Sequence, residues 1–573
     1  MNEGSKTFVM PRTTGTHGDV FAAVGLADLL AGASDSPVRI HEAAMGFEIS
    51  AALVNSVLQS PGYPFLKANE NVEVPVGITD FVDYKVEKAK SDRRKKLAQG
   101  KSKKSLGPEI EELLKQDQPR PDWRLLQVLN TLQGDETSNR VYAQIVRMKP
   151  AEFSHVISAA LESVASFEPS GLDWPANSVQ LFSPNSTKGY SRLKPDSVGR
   201  NDKTKEDWTD PFIEWMRYRG YFAVACPFFD GPKAENVRLL CPVPANVSVG
   251  GLKEVCGQLR QAGIFGGPPK LDSLATLKLA EILIQRSEEY RNRDIIPIPG
   301  LSLLGQSPAD IISGISVTQY QSLGSAKAVS SMAVLAIPGW FILNRPADAE
   351  VFLSILEEHQ RVVRSLQDDH SDEIGLLILY RRFLELRSEG SILTLIDFMS
   401  RYGALVLRAR EQKRRIAQFS TDNFKRLLMQ NAPKLTPVLN DPGFQAVAAA
   451  IRSATVNAQA QKAMNRPDYR EIRYDLLPEL RRKSSLPGNA PLIQTLADFI
   501  SRYNVENARR RELNKPAPRN ITTDEFSSLV TLIENHKASI VGPMLCAFGS
   551  CRVTKDPDTS GLDDAATVEH EQN

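Results

Sequence analysis

The hydrophobic positions change rhythm once along this chain. Up to about residue 345 the apolar segments are short, often β-branched and bounded by Gly, Pro and Asn, as strands are. Residues 179–182, 221–229 and 237–243 read as strands, and the turn-rich stretch 230–236 joins the last two into a hairpin. Helical stretches are predicted between these strands and before them, at 19–30 and 150–167. From Asn344 the spacing becomes three and four residues: Ala349, Phe352, Leu353, Leu356, Val363 and Leu366 follow an Asn344 cap and a Pro346 start. Further helices are predicted at 374–387, 391–417, 422–431, 442–464, 491–511 and 523–538. The last opens on Thr522-Thr-Asp-Glu525, the spacing at which a threonine and a glutamate each satisfy the other's backbone donor. No strand-like run of comparable strength follows residue 346. The pattern predicts an α+β N-terminal region, 1–345, followed by an all-α helical bundle, 346–553.

One short echo runs through the bundle. Asp397-Phe-Met-Ser-Arg-Tyr402 and Asp498-Phe-Ile-Ser-Arg-Tyr503 agree at five of six positions. They are either two equivalent helices or a coincidence of a long chain. A single recurrence without a fixed period favours coincidence.

Composition adds little until charge is located. The 573 residues, 42% hydrophobic and 24% charged, suit a globular chain with room for three or four domains at roughly 150 residues each. Seventy Lys+Arg against 68 Asp+Glu leave only +2. Position carries the signal instead. Residues 85–104 hold ten Lys/Arg, including Lys90, Arg93, Arg94, Lys95 and Lys96, against Glu87 and Asp92. Such a segment belongs in water and attracts polyanions by counterion release, or serves solubility alone. Between Arg401 and Arg519 there are 23 Lys/Arg and 10 Asp/Glu, a local net of +13. Arg410, Lys413, Arg414, Arg415, Arg509, Arg510 and Arg511 stand out there, with positions 408, 411 and 415 placed on one helical face. Residues 555–573 answer with six acids, one Lys and almost no large apolar side chain, and 554–573 are predicted to be a disordered acidic tail.

A third candidate is the polar loop after residue 182. Asn185, Thr187, Lys188, Arg192 and Lys194 surround Gly189, offering amide, hydroxyl and cationic donors where a backbone can come close to a ligand. Asn and Lys address base edges, and Lys also addresses phosphate.

Several chemistries lack their residues. There is no G-x-x-x-x-G-K-[ST], no G-x-G-x-x-G after a strand and no H-E-x-x-H, so no cofactor is expected. The five cysteines, odd in number and never spaced C-x-x-C, argue against a disulfide scaffold or a zinc ribbon and for a reducing compartment. The N-terminus lacks the pattern of a secretory leader, and the longest apolar stretch, 329–343, is broken by Ser330, Ser331, Pro338 and Gly339, so no membrane association is expected. His359 and His370 with Asp368 can be drawn as a metal site, although acids between two amphipathic helices are ordinarily solvated caps. His17 can be drawn as a catalytic base, but no Ser or Cys elbow accompanies it; a helix start capped by Asp19 is the plainer reading.

Three segments resemble the large subunit of type I CRISPR surveillance complexes (Cascade), most of all the I-B kind. They are Thr14-Gly-Thr-His-Gly-Asp19 with the apolar helix after it to Leu30, the segment Phe182-Ser-Pro-Asn-Ser-Thr-Lys-Gly189, and the stretch from Leu496 to Ser550, which is similar to a helical small-subunit-type module. The resemblance implies a non-enzymatic, cytoplasmic, prokaryotic role. A guide RNA (crRNA) reads the target by pairing, while the large subunit reads a short flanking motif (PAM) on double-stranded DNA and holds the displaced single strand. It implies as partners the other Cascade subunits and an effector, either a helicase-nuclease or transposition machinery. The small-subunit-like part is placed from about residue 399, where Met399 offers an internal start. The 85–104 run and the acidic tail have no counterpart in the family. A stand-alone nucleic-acid-binding protein and a metal-dependent hydrolase using His359, His370 and Asp368 are the alternatives.

Overall fold

The computed structural model describes residues 5–53, 59–98, 108–132, 135–166, 168–174, 179–182, 184, 210–230, 236–292, 294–323, 326–340, 342–385, 389–465 and 469–553. Among them the strands are β1 (Ser5–Pro11), β2 (Arg39–Ala43), β3 (Gly46–Ala52), β4 (Phe65–Lys67), β5 (Phe81–Asp83), β6 (Cys226–Asp230), β7 (Asn236–Pro244), β8 (Asn246–Ser248), β9 (Ile312–Leu323) and β10 (Ala326–Ala336). They build two antiparallel four-stranded sheets, ordered β1-β3-β2-β8 and β10-β9-β7-β6, and a parallel pair, β4-β5. A single residue, Ala245, carries the chain from β7 in one sheet to β8 in the other. Its N–H donates to the Ile311 carbonyl (2.9 Å) and its own carbonyl accepts from Glu42 (2.9 Å). After Asp348 the named elements are all helical, so an α+β region is followed by a helix-rich one.

The first region is organised around two buried helices. His17–Ala31 is apolar on nearly every side, and it lies against Pro211–Val224. A Cβ at Gly25 would sit 1.8 Å from the Met216 carbonyl oxygen, and one at Gly220 would sit 1.9 Å from that of Phe21. The two backbones therefore touch, which no side chain larger than hydrogen permits.

The helix-rich region docks on the helix Pro268–Gln285. The Gly267 N–H donates to the Asp368 carboxylate, Lys270 Nζ to the Leu366 carbonyl (2.6 Å) and Gln360 Nε2 to Glu281 Oε2 (2.5 Å). Asp272, with no side-chain exposure, is held by Arg238 of β7 (2.6 and 2.7 Å) and by Arg381 of the helix Ser371–Glu385 (3.0 Å). A carboxylate so desolvated requires that much compensation, and here it comes from both regions.

Several local expectations are corrected. Residues 179–182 are a turn rather than a strand: Phe182 N–H closes onto the Val179 carbonyl (2.9 Å), and Leu181 and Phe182 turn into the core instead of alternating. Tyr221 belongs to the Pro211–Val224 helix, which Asp210 caps by accepting from Phe212 and Ile213, so the strand begins only at Cys226. β6 and β7 then pair as the expected hairpin. Asn344 is not a cap. The helix is Asp348–Ser365, and the Asp348 carboxylate accepts from the Asn344 and Arg345 N–H groups (3.1 and 3.0 Å). The 391–417 helix is Glu389–Glu411 and ends six residues early. Lys413 there has φ 59°, and Arg414 N–H returns to the Ala409 carbonyl (2.8 Å), a left-handed C-terminal closure. The capping box at Thr522 and Glu525 forms as its spacing predicts. The helices Leu476–Ser484 and Ala538–Ser550 were not expected, the second because Pro543 lies inside it.

The two echoed hexapeptides both lie in helices and turn the same face inward: Phe398, Met399 and Tyr402 in one, Phe499, Ile500 and Tyr503 in the other. Met399 is buried in mid-helix, so a chain begun there would lack the helix's first turns. Among the described residues Gly390–Glu411 alone has the length and composition to cross a membrane, and 67% of its apolar window is buried inside the protein. All five cysteines are buried and unpaired.

Candidate nucleic-acid interface

The Asn185, Thr187, Lys188, Arg192 and Lys194 loop lies outside the described residues, but the chain on both sides of it is described. On the near side, His17 Nε2 bonds the Leu181 carbonyl (2.6 Å) and its Nδ1 meets Thr318 Oγ1 of β9 (3.0 Å). Burial holds that ring neutral, its pKa lowered to about 4 even though the Leu181 carbonyl and Asp19 favour the charged form. Phe182 packs edge-on to Tyr218 (4.5 Å between centroids), Tyr221 (5.8 Å) and Phe21 (6.2 Å). A Cβ at Gly18 would lie 2.0 Å from the Phe182 carbonyl oxygen. On the far side stands Asp210, which accepts the Ser170 N–H (2.7 Å) as well as capping its own helix. Two segments distant in sequence, 14–19 and 179–182, thus form one anchored base.

The Thr14–Asp19 turn above that base is tightly closed. The Asp19 carboxylate accepts from the N–H groups of Thr13 (3.2 Å), Thr14 (3.0 Å) and Gly15 (2.7 Å) and from both threonine hydroxyls. Gly15 at φ +66° makes this closure possible. The helix cap is Thr16, whose hydroxyl accepts from Gly18 (3.2 Å); Asp19 gathers the turn instead of capping. His17 is a structural core histidine, bonded on both ring nitrogens, and not a catalytic base.

The 85–104 run begins as a helix, Tyr84–Ala98, while Lys101, Lys103 and Lys104 lie outside the described residues. Its cations divide. Arg93 forks onto Asp117 (3.0 and 2.6 Å), Arg94 donates to the Leu114 carbonyl (2.8 Å) and Lys90 pairs with Glu87 (2.7 Å). Lys88, Lys95 and Lys96 point to solvent. Half of this basic run ties the helix to its neighbours.

The helical region divides its arginines more sharply. Arg414 bonds Glu373 Oε1 (2.7 Å) and Gln367, clamping the turn that docks on Pro268–Gln285. Arg410 bonds the Val456 carbonyl (3.3 Å) and Gln418. Arg510 and Arg511 donate to the Pro516 (2.9 Å) and Pro518 (2.8 Å) carbonyls after their helix has ended. Lys413, Arg415 and Arg509 are exposed. Because Lys413, Arg414 and Arg415 follow the helix end, position 415 does not share a helical face with 408 and 411.

What the helices do present is an open groove of about 830 Å³ between Ser371–Glu385, Glu389–Glu411 and the segment from Tyr474 to Arg481. Arg401, Arg408 and Arg481 line it together with Tyr474, Asp372 and Glu411. Arg401 is paired with Asp397 (2.8 Å) at 48% exposure, and Arg408 with Asp372 (3.1 Å) at 54%. Such solvated pairs are worth roughly 0–1 kcal/mol and exchange readily for a phosphate. Glu411 is held ionised, its pKa lowered to about 2 by hydrogen bonds from Lys462 and then Tyr474. Exposed Tyr474 offers a face on which a base can stack. The charge count pointed to this region but not to Arg401, Tyr474 and Arg481 as a set. The seven-residue spacing of Arg401 and Arg408, two turns on one face, was the available signal for the first pair.

The metal-site alternative is not assembled. His359 is buried among Trp340, Tyr380, Phe383 and Phe419, with Nδ1 on the Tyr380 hydroxyl (2.7 Å), and burial lowers its pKa to about 3. His370 is exposed beside Asp369, and Asp368 is committed to Gly267. Among the described residues no group of three or more His, Cys, Asp or Glu is placed to hold a metal ion. No family model matches the chain, and no curated protein matches it.

Proposed function

We propose that this chain is the large, non-catalytic subunit of an RNA-guided DNA-targeting complex of the type I, I-B-like kind, working in a prokaryotic cytoplasm. The 185–194 loop reads the flanking motif on double-stranded DNA, the helix-rich region holds the displaced single strand, and a helicase-nuclease or transposition protein is recruited afterwards. The observation that carries the reading is the anchored base beneath the loop. The two segments whose residues resemble that family, 14–19 and 182–189, meet there through His17, Gly18, Leu181 and Phe182. A rigid base under a donor-bearing loop is what positional readout of a short motif requires. The groove of Arg401, Arg408, Arg481 and Tyr474 supports the single-strand role by charge and stacking.

Co-purification of the tagged chain with a guide RNA and repeated backbone subunits is the first test. Recovery of the chain alone, still binding oligonucleotides, would favour the stand-alone nucleic-acid-binding reading, which the groove serves equally well. Within the assembled complex, Lys188→Ala should cost about 1–3 kcal/mol on the correct motif and little on motif-free duplex. Equal losses on both would reduce Lys188 to a phosphate contact.

A further inference from the structure

The groove and the acidic C-terminal segment are complementary in charge, and the fold brings the start of one to the end of the other. Arg552 is bound into the bundle: its N–H donates to the Phe419 carbonyl (2.9 Å) and its carbonyl accepts from Thr421 (2.9 Å). Gln418, in the same stretch, bonds the Ser550 carbonyl (2.8 Å) on one side and the Arg410 guanidinium on the other. The chain therefore leaves the bundle at Val553 beside the C-terminal end of Glu389–Glu411, the helix that carries Arg401 and Arg408. Arg408 precedes Arg410 by less than one helical turn, and Arg401 is a further seven residues back, about 10 Å along the axis. Residues 554–573 contain Asp556, Asp558, Asp563, Asp564, Glu569 and Glu571 against Lys555. Twenty residues at up to about 3.5 Å each span about 70 Å, several times the length of the groove's wall.

We infer that residues 554–573 occupy the Arg401–Arg408–Arg481 groove as an intramolecular polyanion, excluding nonspecific nucleic acid until a strand held by further contacts displaces them. The exchange is favoured by the state of the groove arginines. Arg401 and Arg408 are half exposed and held only by solvated carboxylates, so an incoming carboxylate or phosphate replaces one weak pair with another. The buried clamp Arg414 has no such freedom, because releasing Glu373, 5% exposed, would strand a desolvated charge. A tethered segment experiences an effective concentration of about 1 mM. If its intrinsic dissociation constant is about 0.1–0.3 mM, it weakens oligonucleotide binding about four- to tenfold.

The consequence for nucleic acid rests on the binding role proposed above, so the test has two independent arms. In the first, the full chain is compared with a full chain carrying Asp556→Asn, Asp558→Asn, Asp563→Asn, Asp564→Asn, Glu569→Gln and Glu571→Gln, using a labelled oligothymidylate and fluorescence anisotropy. The neutralised chain should bind four- to tenfold tighter at about 50 mM salt, and the difference should vanish near about 500 mM. In the second, a labelled peptide of residues 554–573 is added to a chain ending at Val553. It should bind, and binding should be lost in the Arg401→Gln, Arg408→Gln, Arg481→Gln variant. Equal oligonucleotide affinities together with an unbound peptide overturn the inference and leave the nucleic-acid reading standing. A bound peptide with no oligonucleotide binding by either chain sustains the inference and removes the nucleic-acid reading. Peptide binding that ignores the three arginine substitutions overturns the groove as its seat.

Discussion

The two basic regions are alike in sequence and differ in what their cations do. In the helix Tyr84–Ala98, Lys88, Lys95 and Lys96 remain in solvent while Arg93 and Arg94 reach back to Asp117 and Leu114. In the helix-rich region most arginines singled out by charge are internal fasteners. Arg410, Arg414, Arg510 and Arg511 close helix ends and turns, while the open cations of the groove come from Arg401, Arg408 and Arg481. Arginine is suited to fastening because its planar fork satisfies several carbonyl or carboxylate oxygens at once, whereas lysine's strongly hydrated ammonium prefers water. A net charge of +13 over 401–519 therefore overstates the charge available to a ligand.

The comparison breaks most visibly at Arg414. Replacing it with Ala leaves Glu373 buried without its cation, and the expected cost is about 2–4 kcal/mol in urea unfolding. Oligonucleotide affinity of the folded variant should change less than about twofold, since a fastener offers little to a phosphate. A large affinity loss at unchanged stability would return Arg414 to the ligand-binding set.

The groove should behave in the opposite way. Replacing Arg401, Arg408 and Arg481 together with Gln should leave the urea midpoint nearly unchanged and weaken single-strand binding about tenfold or more. The slope of log affinity against log salt should fall by about 2, as three phosphate contacts predict.

Acid sharpens the contrast between the α+β and helix-rich regions, because each buries one neutral histidine. The unfolded chain takes up a proton near pH 6.5, whereas His17 resists until about 4 and His359 until about 3. Stability from each ring is thus complete above about pH 6.5 and falls as pH drops, by about 1.4 kcal/mol per unit per histidine. Urea titrations between pH 7 and 5 should show this loss, and His359→Phe should lower its slope by about half of the two histidines' sum. An unchanged slope would mean that His359 is not held neutral.

The smallest effect is expected in the N-terminal basic helix. Lys88→Gln, Lys95→Gln and Lys96→Gln together should weaken polyanion binding about three- to fivefold and flatten its salt dependence without moving the unfolding midpoint. Arg93→Gln with Arg94→Gln should do the reverse, lowering the midpoint slightly through the lost Asp117 and Leu114 contacts.

Much of the fold is legible in local pattern. The change from short β-branched runs to three-and-four spacing near 345 separates the regions, and the Thr522–Glu525 box marks its helix start, because both are decided by neighbours in sequence. The 179–182 segment misled for the opposite reason. Four apolar residues satisfy a strand pattern, yet Phe182 is held in a turn by Phe21, Tyr218 and His17 from elsewhere in the chain.

Sequence by itself determined where charge is dense, where helices begin at caps, and that His17, Gly18, Gly25 and Gly220 occupy positions where little else would fit once packed. Tertiary structure alone decided which cations are free. A guanidinium's availability depends on whether a carbonyl or carboxylate from a distant segment, such as Glu373 for Arg414 or Pro516 for Arg510, has already taken its donors. That pairing is set by how helices dock, and no spacing along the chain encodes it.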